Sequence, residues 1–244
     1  MSNHTVARYG PKPIQIEGPP FPSCYRSIPE IDALEIEPTV FIVDDDPAAR
    51  QSVSALTESM GLLAETFASA ETFLETYNPD RPGCLVTDYR MVGMSGLELQ
   101  EALVCNKITL PVIVITAYAD VPLAVDAMKR GAITLLEKPC HENELVSNIR
   151  RAVEMDVCNR QEHAHVQQIQ ERLATLSNGE LVVTKLLLAG KMNKNIAREL
   201  DLGLRTVELR RHQIMKKMEV DSVAQLVKAL LAVGDIDWTG DKTD

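Results

Sequence analysis

The segment TVFIVDDDPAAR, residues 39–50, sets the pattern for the first half of the chain. Residues 40–43 form a short run of apolar, mostly β-branched side chains, which is typical of a buried strand. Asp46 and Pro47 then supply a helix N-cap and a proline at the first helical position. The segment therefore predicts a strand that leads directly into a helix, with two further aspartates at the carboxyl end of the strand.

The same alternation of apolar runs and helical patterns repeats four more times. The apolar runs lie at 63–67, 84–87, 112–115 and 133–136, and the helical stretches lie at about 69–77, 96–105, 121–130 and 142–157. Strands that alternate with helices form parallel sheets covered by helices on both faces. Residues 39–157 are therefore predicted to form an α/β domain with a doubly wound, five-stranded parallel sheet.

Polar side chains stand at the predicted carboxyl ends of four strands. Asp44 and Asp45 end the first strand, and Asp88, Thr116 and Lys138 end the third, fourth and fifth. The functional crevice of an open parallel sheet lies at this edge, where clustered carboxylates repel one another unless a cation such as Mg²⁺ neutralises them. The pattern predicts phosphoryl transfer, with Asp88 as nucleophile and with Thr116 and Lys138 donating to the phosphoryl oxygens.

The flanking segments differ from this α/β pattern. Residues 1–38 hold seven of the thirteen prolines without apolar periodicity, which predicts a disordered leader. Residues 158–172 are polar with one narrow apolar stripe, which predicts a linker helix. Residues 173–233 show four amphipathic helical patterns, which predict a small all-α domain, and 234–244 form a tail.

Charge and cysteine usage narrow the class of protein. The 244 residues carry a net charge of -10, but 39–157 alone account for -9, whereas 191–217 hold eight basic and three acidic residues. An acidic domain therefore precedes a locally basic one, which favours a nucleic-acid partner for the latter. Five cysteines without a CxxC pair favour a reduced cytoplasm over disulfides or zinc. The apolar runs are too short for a membrane span, so no membrane partner is expected.

Several motifs in residues 39–157 resemble the receiver domain of bacterial two-component response regulators. They are VDDDP at 43–47, VTDYRM at 86–91, SG at 95–96, ITA at 115–117, AVDAMKRGA at 124–132 and EKP at 137–139. The resemblance implies a flavodoxin-like fold and a sensor histidine kinase that phosphorylates the chain.

The resemblance also assigns roles to individual residues of the site. It implies that Asp88 is the phosphoacceptor and that Mg²⁺ is bound by Asp45 and Asp88, by Asp44 through water, and by the main-chain carbonyl of Arg90. Thr116 would be the switch hydroxyl and Ala117 the small residue that admits the phosphoryl group. Lys138, before a cis proline at Pro139, would be the phosphate contact.

Two residues depart from the receiver pattern. Val92 stands where the family usually has proline after Asp-x-x-Met, and we expect this change to loosen the loop behind the phosphoacceptor. Leu135 stands where receivers usually carry Tyr or Phe, the aromatic that swings inward with the switch hydroxyl. Phosphorylation chemistry is expected to survive both changes, whereas coupling through Leu135 is expected to be weaker or to use a different contact.

The segment GKMNKNIARELDLGLRTVELRRHQIMKKMEV, residues 190–220, resembles the LuxR-type helix-turn-helix of the FixJ and NarL regulators. The resemblance makes 206–218 the recognition helix, starting at Thr206, with Glu208, Leu209 and His212 facing base edges in the major groove. The residues expected to contact DNA phosphates are Lys194, Arg205, Arg211, Lys216 and Lys217.

Two positions depart from the family pattern in this domain as well. Asn178-Gly179 replaces a usual Pro-Arg, and Arg210 replaces a common histidine. The last helix carries an apolar stripe that the family uses as a dimer contact.

These observations predict a response regulator transcription factor that binds promoter DNA, catalyses only its own phosphorylation and dephosphorylation, and forms a homodimer when phosphorylated. RNA polymerase is a further candidate partner, and the acidic receiver is expected to shield the basic helix before phosphorylation. Two alternatives stay open. One is a DNA-binding regulator that works without phosphorylation, and the other is a phosphohydrolase of the haloacid dehalogenase kind, suggested by Asp44-x-Asp46 after a strand.

Overall fold

The computed structural model describes residues 37–234. The predicted leader (1–38) and tail (234–244) lie outside the described residues, apart from residues 37, 38 and 234. The described chain contains an N-terminal α/β domain and a C-terminal helical domain that are connected by one long helix.

Five short strands form one parallel sheet in the order β2-β1-β3-β4-β5. The strands are β1 (Thr39–Val43), β2 (Leu63–Phe67), β3 (Gly83–Asp88), β4 (Val112–Thr116) and β5 (Thr134–Glu137). The topology reverses direction at β1 and β3, so a crevice opens at the carboxyl ends of these two strands. The predicted doubly wound, flavodoxin-like sheet is confirmed.

Both faces of the sheet are buried because alternate residues of each strand point to opposite sides. Phe41 and Val43 pack on one side with residues of α2, α3 and α4, while Val40 and Ile42 pack on the other side with α1 and α5. These helices are α1 (Pro47–Ser59), α2 (Ala70–Thr76), α3 (Gly96–Cys105), α4 (Val121–Lys129) and α5 (Glu142–Ala174). The apolar runs that predicted the central strands β1, β3 and β4 are buried throughout and form the core of the domain, whereas most of β2 is not buried.

Local capping explains where the helices near the crevice begin. The side chain of Asp46 accepts the N–H of Ala48 at 3.0 Å, as its position before Pro47 predicted. Ser95 and Glu98 form a reciprocal capping box at the start of α3. These caps place the first turns of α1 and α3 directly behind strands β1 and β3.

Helix α5 is longer than the sequence pattern predicted. It continues without interruption through Ala174, so residues 158–172 are helical as expected but do not form a separate linker helix. Its 33 residues correspond to roughly 50 Å of helix. The first part packs on the sheet, and Ile169, near its end, is buried in the core of the C-terminal domain.

A buried polar cluster fixes α5 to the end of the sheet opposite the crevice. Asp156, fully buried, accepts the N–H of Gly83 at 2.8 Å and the Nε–H of Arg160 at 2.7 Å. Arg160 also donates to the carbonyl of Arg81 at 2.9 Å. Burial raises the pKa of the Asp156 carboxyl, and hydrogen bonds from Arg160 and Gly83 offset only part of that effect.

Within the described residues, four further helices complete the C-terminal domain. They are α6 (Asn178–Leu188), α7 (Asn193–Glu199), α8 (Leu204–Met218) and α9 (Val223–Val233). Their core includes Val183, Ile196, Val207, Ile214 and Leu226. Helices α7 and α8 are joined by a short turn, which is the helix-turn-helix arrangement that the sequence predicted.

Candidate functional site

A cavity of about 240 Å³ opens at the carboxyl edge of the sheet. Its lining residues come from the ends of β1, β3, β4 and β5 and the loops that follow them. They are Asp44, Asp45, Asp46, Asp88, Arg90, Thr116, Ala117, Tyr118 and Lys138. The cavity therefore brings together every residue that the sequence predicted for the phosphoacceptor site, apart from the switch position Leu135.

Lys138 connects two of the carboxylates. Its Nζ lies 2.8 Å from Oδ2 of Asp44 and 2.5 Å from Oδ1 of Asp88. Burial by itself lowers the pKa of this ammonium group, but the hydrogen bonds and charges of Asp44 and Asp88 outweigh that effect and raise the pKa. Lys138 is therefore held as a cation inside the acidic cavity, and the peptide bond that follows it, to Pro139, is cis as expected.

Asp88 is nearly buried and is held at both oxygens. Oδ1 contacts Lys138, and Oδ2 accepts the backbone N–H of Arg90 at 2.7 Å. Two directed donors on one carboxylate fix its rotamer. The end of β3 thus presents an oriented carboxylate to the cavity.

Asp44 and Asp46 have separate structural contacts. Oδ1 of Asp44 accepts the N–H of Asp46 at 2.9 Å, and the Asp46 side chain caps α1. Arg50 on α1 donates to the carbonyl of Asp44 at 2.5 Å, which ties the strand end to the helix. No periodic or motif signal in the sequence points to Arg50, because its partner is a backbone atom.

Asp45 is exposed, and its Oδ2 accepts the backbone N–H of Val92 at 3.1 Å. This contact joins the β1 loop to the loop behind the phosphoacceptor. That second loop, residues 92–95, is held by carboxylates at two further amides: Met94 N–H donates to Glu71, and Ser95 N–H donates to Glu98. Three amides of this loop are therefore hydrogen-bonded to carboxylates, and the expected loosening at Val92 stays a prediction.

The carboxylate edge suits Mg²⁺ without forming a closed metal cage. Within residues 37–234, no three His, Cys, Asp or Glu side chains lie close enough together to make a ready-made metal site. Mg²⁺ does not need one, because it keeps several waters and is usually held by one or two carboxylates together with phosphate oxygens. The all-oxygen donor set of Asp44, Asp45, Asp88 and the Arg90 carbonyl fits this requirement.

Thr116 is buried at the end of β4, and its hydroxyl is paired with the backbone of the next loop. It donates to the carbonyl of Tyr118 at 3.1 Å and accepts the Tyr118 N–H at 3.3 Å. Ala117, which follows it, is small and exposed on the cavity wall. Leu135 lies on β5, half-buried against the core that contains α4 residues.

The predicted DNA-reading residues lie on α8, which begins two residues earlier than predicted, at Leu204. Thr206, Glu208, Leu209 and His212 are all exposed, and Leu209 is 57% exposed. Because these side chains are open to solvent, shielding of this helix by the acidic domain is not the arrangement in this structure.

A groove of about 580 Å³ runs beside α8 and is lined by several of the predicted contacts. Glu208, Arg211, His212 and Lys216 all face it. Nη1 of Arg211 donates to Oδ1 of Asn193 on α7 at 3.0 Å, so α7 orients this guanidinium group. The other predicted phosphate contacts, Lys194 and Arg205, are exposed.

Lys217 is arranged differently from its neighbour Lys216. Its Nζ lies 2.7 Å from Oε2 of the buried Glu180 and 3.0 Å from the carbonyl of Thr175. Burial by itself raises the pKa of Glu180, but hydrogen bonds from Lys217 and Ser177 outweigh it, so the pKa is lowered. Lys217 thus connects α8 to the C-terminal end of α5 and the N-terminal end of α6.

Gly179 and Arg210, which both depart from the family pattern, lie in contact with each other. A Cβ atom on Gly179 would lie 2.9 Å from Cζ of Arg210, so the guanidinium group rests on the glycine backbone. Helix α6 nevertheless begins with a complete capping box, in which Ser177 and Glu180 bond reciprocally. The absent Pro-Arg pair therefore does not change how this helix starts.

The two domains together define a class: a receiver-type α/β domain joined to a helix-turn-helix DNA-binding domain. Residues 40–150 match the response regulator receiver domain, and residues 174–230 match the luxR family of bacterial regulatory proteins. The chain belongs to the two-component response regulators that carry a LuxR-type DNA-binding domain, and it is similar to transcription regulators of that kind.

Individual relatives cover most of both chains. The transcriptional regulatory protein FixJ of Rhizobium meliloti is 43% identical over 197 residues, 80% of this chain and 96% of FixJ. The response regulator protein TodT of Pseudomonas putida is 40% identical over 189 residues, 78% of this chain and 83% of TodT.

Solved structures show the same likeness. The response regulator StyR has a TM-score of 0.74 at 42% identity and covers 80% of this chain and 98% of its own. Full-length FixJ from B. japonicum has a TM-score of 0.51 at 36% identity and covers 83% of this chain and 100% of its own. These findings confirm the predicted family, fold and regulatory class. Separately, no helix within residues 37–234 has the length and apolarity of a membrane span.

Proposed function

We propose that this response regulator accepts a phosphoryl group on Asp88 and thereby controls its binding to DNA. The observation that carries the proposal is the geometry of the Asp88 carboxylate, which Lys138 and the Arg90 amide orient toward the cavity. An oxygen of Asp88 forms a bond to phosphorus while the bond from phosphorus to the donor's histidine nitrogen breaks. An acyl phosphate remains on Asp88, and the imidazole leaves with the kinase.

The neighbouring side chains have separate tasks in this proposal. Lys138 donates to the phosphoryl oxygens, because its ammonium group already touches the attacking carboxylate. Thr116 exchanges its hydrogen bond to the Tyr118 carbonyl for one to the phosphoryl group. The loop after β4 then loses a contact, which offers a route from phosphorylation to a change in conformation that does not require an aromatic at Leu135.

Mg²⁺ is the proposed cofactor, held by Asp45, Asp88 and the Arg90 carbonyl directly and by Asp44 through water. When bound, it supplies positive charge that offsets the repulsion between the carboxylates and the incoming phosphoryl group. The oxygen donor set of the cavity supports this assignment.

We further propose that α8 enters the major groove, with Glu208, Leu209 and His212 toward base edges and Lys194, Arg205, Arg211 and Lys216 toward phosphates. Exposure of the α8 side chains supports this assignment. The proposed partners are promoter DNA, a sensor histidine kinase in the cytoplasm, a second copy of the chain after phosphorylation, and RNA polymerase. The chain's own catalysis is limited to phosphorylation and dephosphorylation of Asp88.

The test is labelling by a small phosphodonor. With acetyl phosphate and Mg²⁺, Asp88→Asn should lose all acid-labile phosphate, because an amide is not a competent nucleophile. Asp120→Asn is the matched control, since Asp120 caps α4 outside the cavity and asparagine caps equally well. Undiminished phosphate on the Asp88→Asn protein, located by mass spectrometry, would refute the assignment.

A further inference from the structure

The loop behind the phosphoacceptor is a fixed element in this chain. Each of the amides of Val92, Met94 and Ser95 donates to a carboxylate side chain. Gly93, between them, has φ +86°, and a Cβ there would lie 2.7 Å from Oε1 of Glu71. The loop therefore holds its N–H groups in fixed directions.

One of these amides points at a proposed metal ligand. Val92 N–H donates to Oδ2 of Asp45, and Asp45 has no other hydrogen-bond partner among the described residues. Asp44 and Asp88 are oriented by Lys138, whereas the exposed Asp45 side chain is oriented by this amide alone. A proline at position 92, as the family usually has, carries no N–H and could not make this contact.

We propose that the backbone N–H of Val92 positions the Asp45 carboxylate for Mg²⁺, so that a departure from the family pattern strengthens the metal site. An ionised carboxylate can accept at about four lone-pair positions, so the amide and a cation can occupy Asp45 at the same time. The hydrogen bond from Val92 to Asp45 then remains when the metal binds. It restricts rotation of the Asp45 side chain beforehand, so less conformational entropy is lost when Mg²⁺ binds. This inference rests on the proposed Mg²⁺ site.

The test compares Val92→Pro with Val92→Ala in the full chain. The Val92 side chain is 81% exposed and its φ is not positive, so both substitutions remove exposed side-chain atoms, and only proline also removes the donor and fixes φ. Mg²⁺ affinity, measured by isothermal titration calorimetry, should fall about tenfold in Val92→Pro and stay at the parental value in Val92→Ala.

A double-substitution comparison separates positioning from loop damage. In an Asp45→Ala background, Val92→Pro should cause no further loss of Mg²⁺ affinity, because the carboxylate through which the amide acts is absent. Equal affinity in the proline and alanine variants, or an undiminished effect of proline in the Asp45→Ala background, overturns the inference and leaves the metal site standing. A parent chain that does not bind Mg²⁺ overturns both.

Discussion

Two adjacent lysines at the end of the recognition helix have different environments. Lys216 faces the open groove beside α8, whereas Lys217 contacts the buried carboxylate of Glu180 and the carbonyl of Thr175, which caps the end of α5. The family resemblance assigns both to DNA phosphates. The contacts favour that role for Lys216 and a positioning role for Lys217.

We therefore expect Lys217→Ala to lower the free energy of unfolding by about 1 kcal/mol, because the buried Glu180 carboxylate loses its charged donor and keeps only those of Ser177. Lys216→Ala should leave stability unchanged. It should weaken binding to all DNA sequences alike and reduce the slope of log affinity against log salt by about 1.

The measurements are urea unfolding and gel-shift titration at several salt concentrations. The two variants serve as controls for each other, since they remove the same charge one residue apart. If Lys217→Ala kept parental stability and lost as much salt dependence as Lys216→Ala, both lysines would be phosphate contacts.

The cavity residues could be read from the sequence, because a parallel sheet brings all its strand ends to one edge whatever the loops do. Contacts between residues far apart in the sequence could not be predicted in this way. The bonds from Val92 to Asp45 and from Lys217 to Glu180 join positions 47 and 37 residues apart, and no local pattern encodes them. The contact of Arg50 was not predictable either, because its partner is a backbone carbonyl.

The capping box of α6 should be sensitive to pH through Glu180. Glu180 accepts from the Ser177 backbone and hydroxyl as well as from Lys217, and its pKa is lowered from 4.5. A carboxyl whose pKa is lower in the folded state stabilises the fold above its unfolded pKa, and loses that contribution as the pH falls through the folded value.

The C-terminal domain should therefore lose stability below about pH 4.5 in part through Glu180. At pH 6, Glu180→Gln should have a lower melting temperature than the parent. The difference in melting temperature between the two proteins should shrink progressively below pH 4.5. Thermal melts of both proteins from pH 3.5 to 6.5 measure this. A difference that does not change with pH would show that the carboxylate charge contributes nothing.

Most elements were predictable because their apolar periods match their burial. Helix α5 was the exception, since the polar stretch after residue 157 suggested a separate helix. The sequence does carry a signal for continuity: no glycine or proline occurs between 140 and 178. The polarity there reflects exposure between two cores, with residues 161–165 all open to solvent.

Helix α5 is attached to the sheet by its first half and to the C-terminal domain by its last turns, and it is exposed to solvent between them. The Asp156 cluster fixes it to the sheet, and Ile169 with the Arg172–Glu219 ion pair fixes it to the C-terminal domain. Because the recognition helix is uncovered here, control by shielding has no support in this arrangement. Transmission along the continuous helix is the alternative that the contacts favour.

Breaking the helix at its exposed centre tests this. Ala164→Pro removes a helical N–H and should cost α5 about 3 kcal/mol locally, whereas Ala164→Ser keeps the N–H. The proline variant should still be labelled on Asp88. For a DNA site selected with the phosphorylated parent, however, the affinity of the proline variant should be the same with and without phosphorylation.

Gel-shift titrations with and without phosphodonor distinguish the outcomes, and the serine variant is the control for the exposed position. A proline variant that responds as fully as the parent would show that helix continuity is not needed for signalling.

The contact between Gly179 and Arg210 has a consequence for protein engineering. Hybrid regulators are made by exchanging segments between relatives, and a junction between α6 and α8 would separate this pair. A relative's arginine at 179 facing Arg210 would place two guanidinium groups together and displace one of them from the glycine backbone. Junctions before Leu176 transfer both positions together, so we expect functional hybrids to be recovered there and lost when the crossover falls between the two helices.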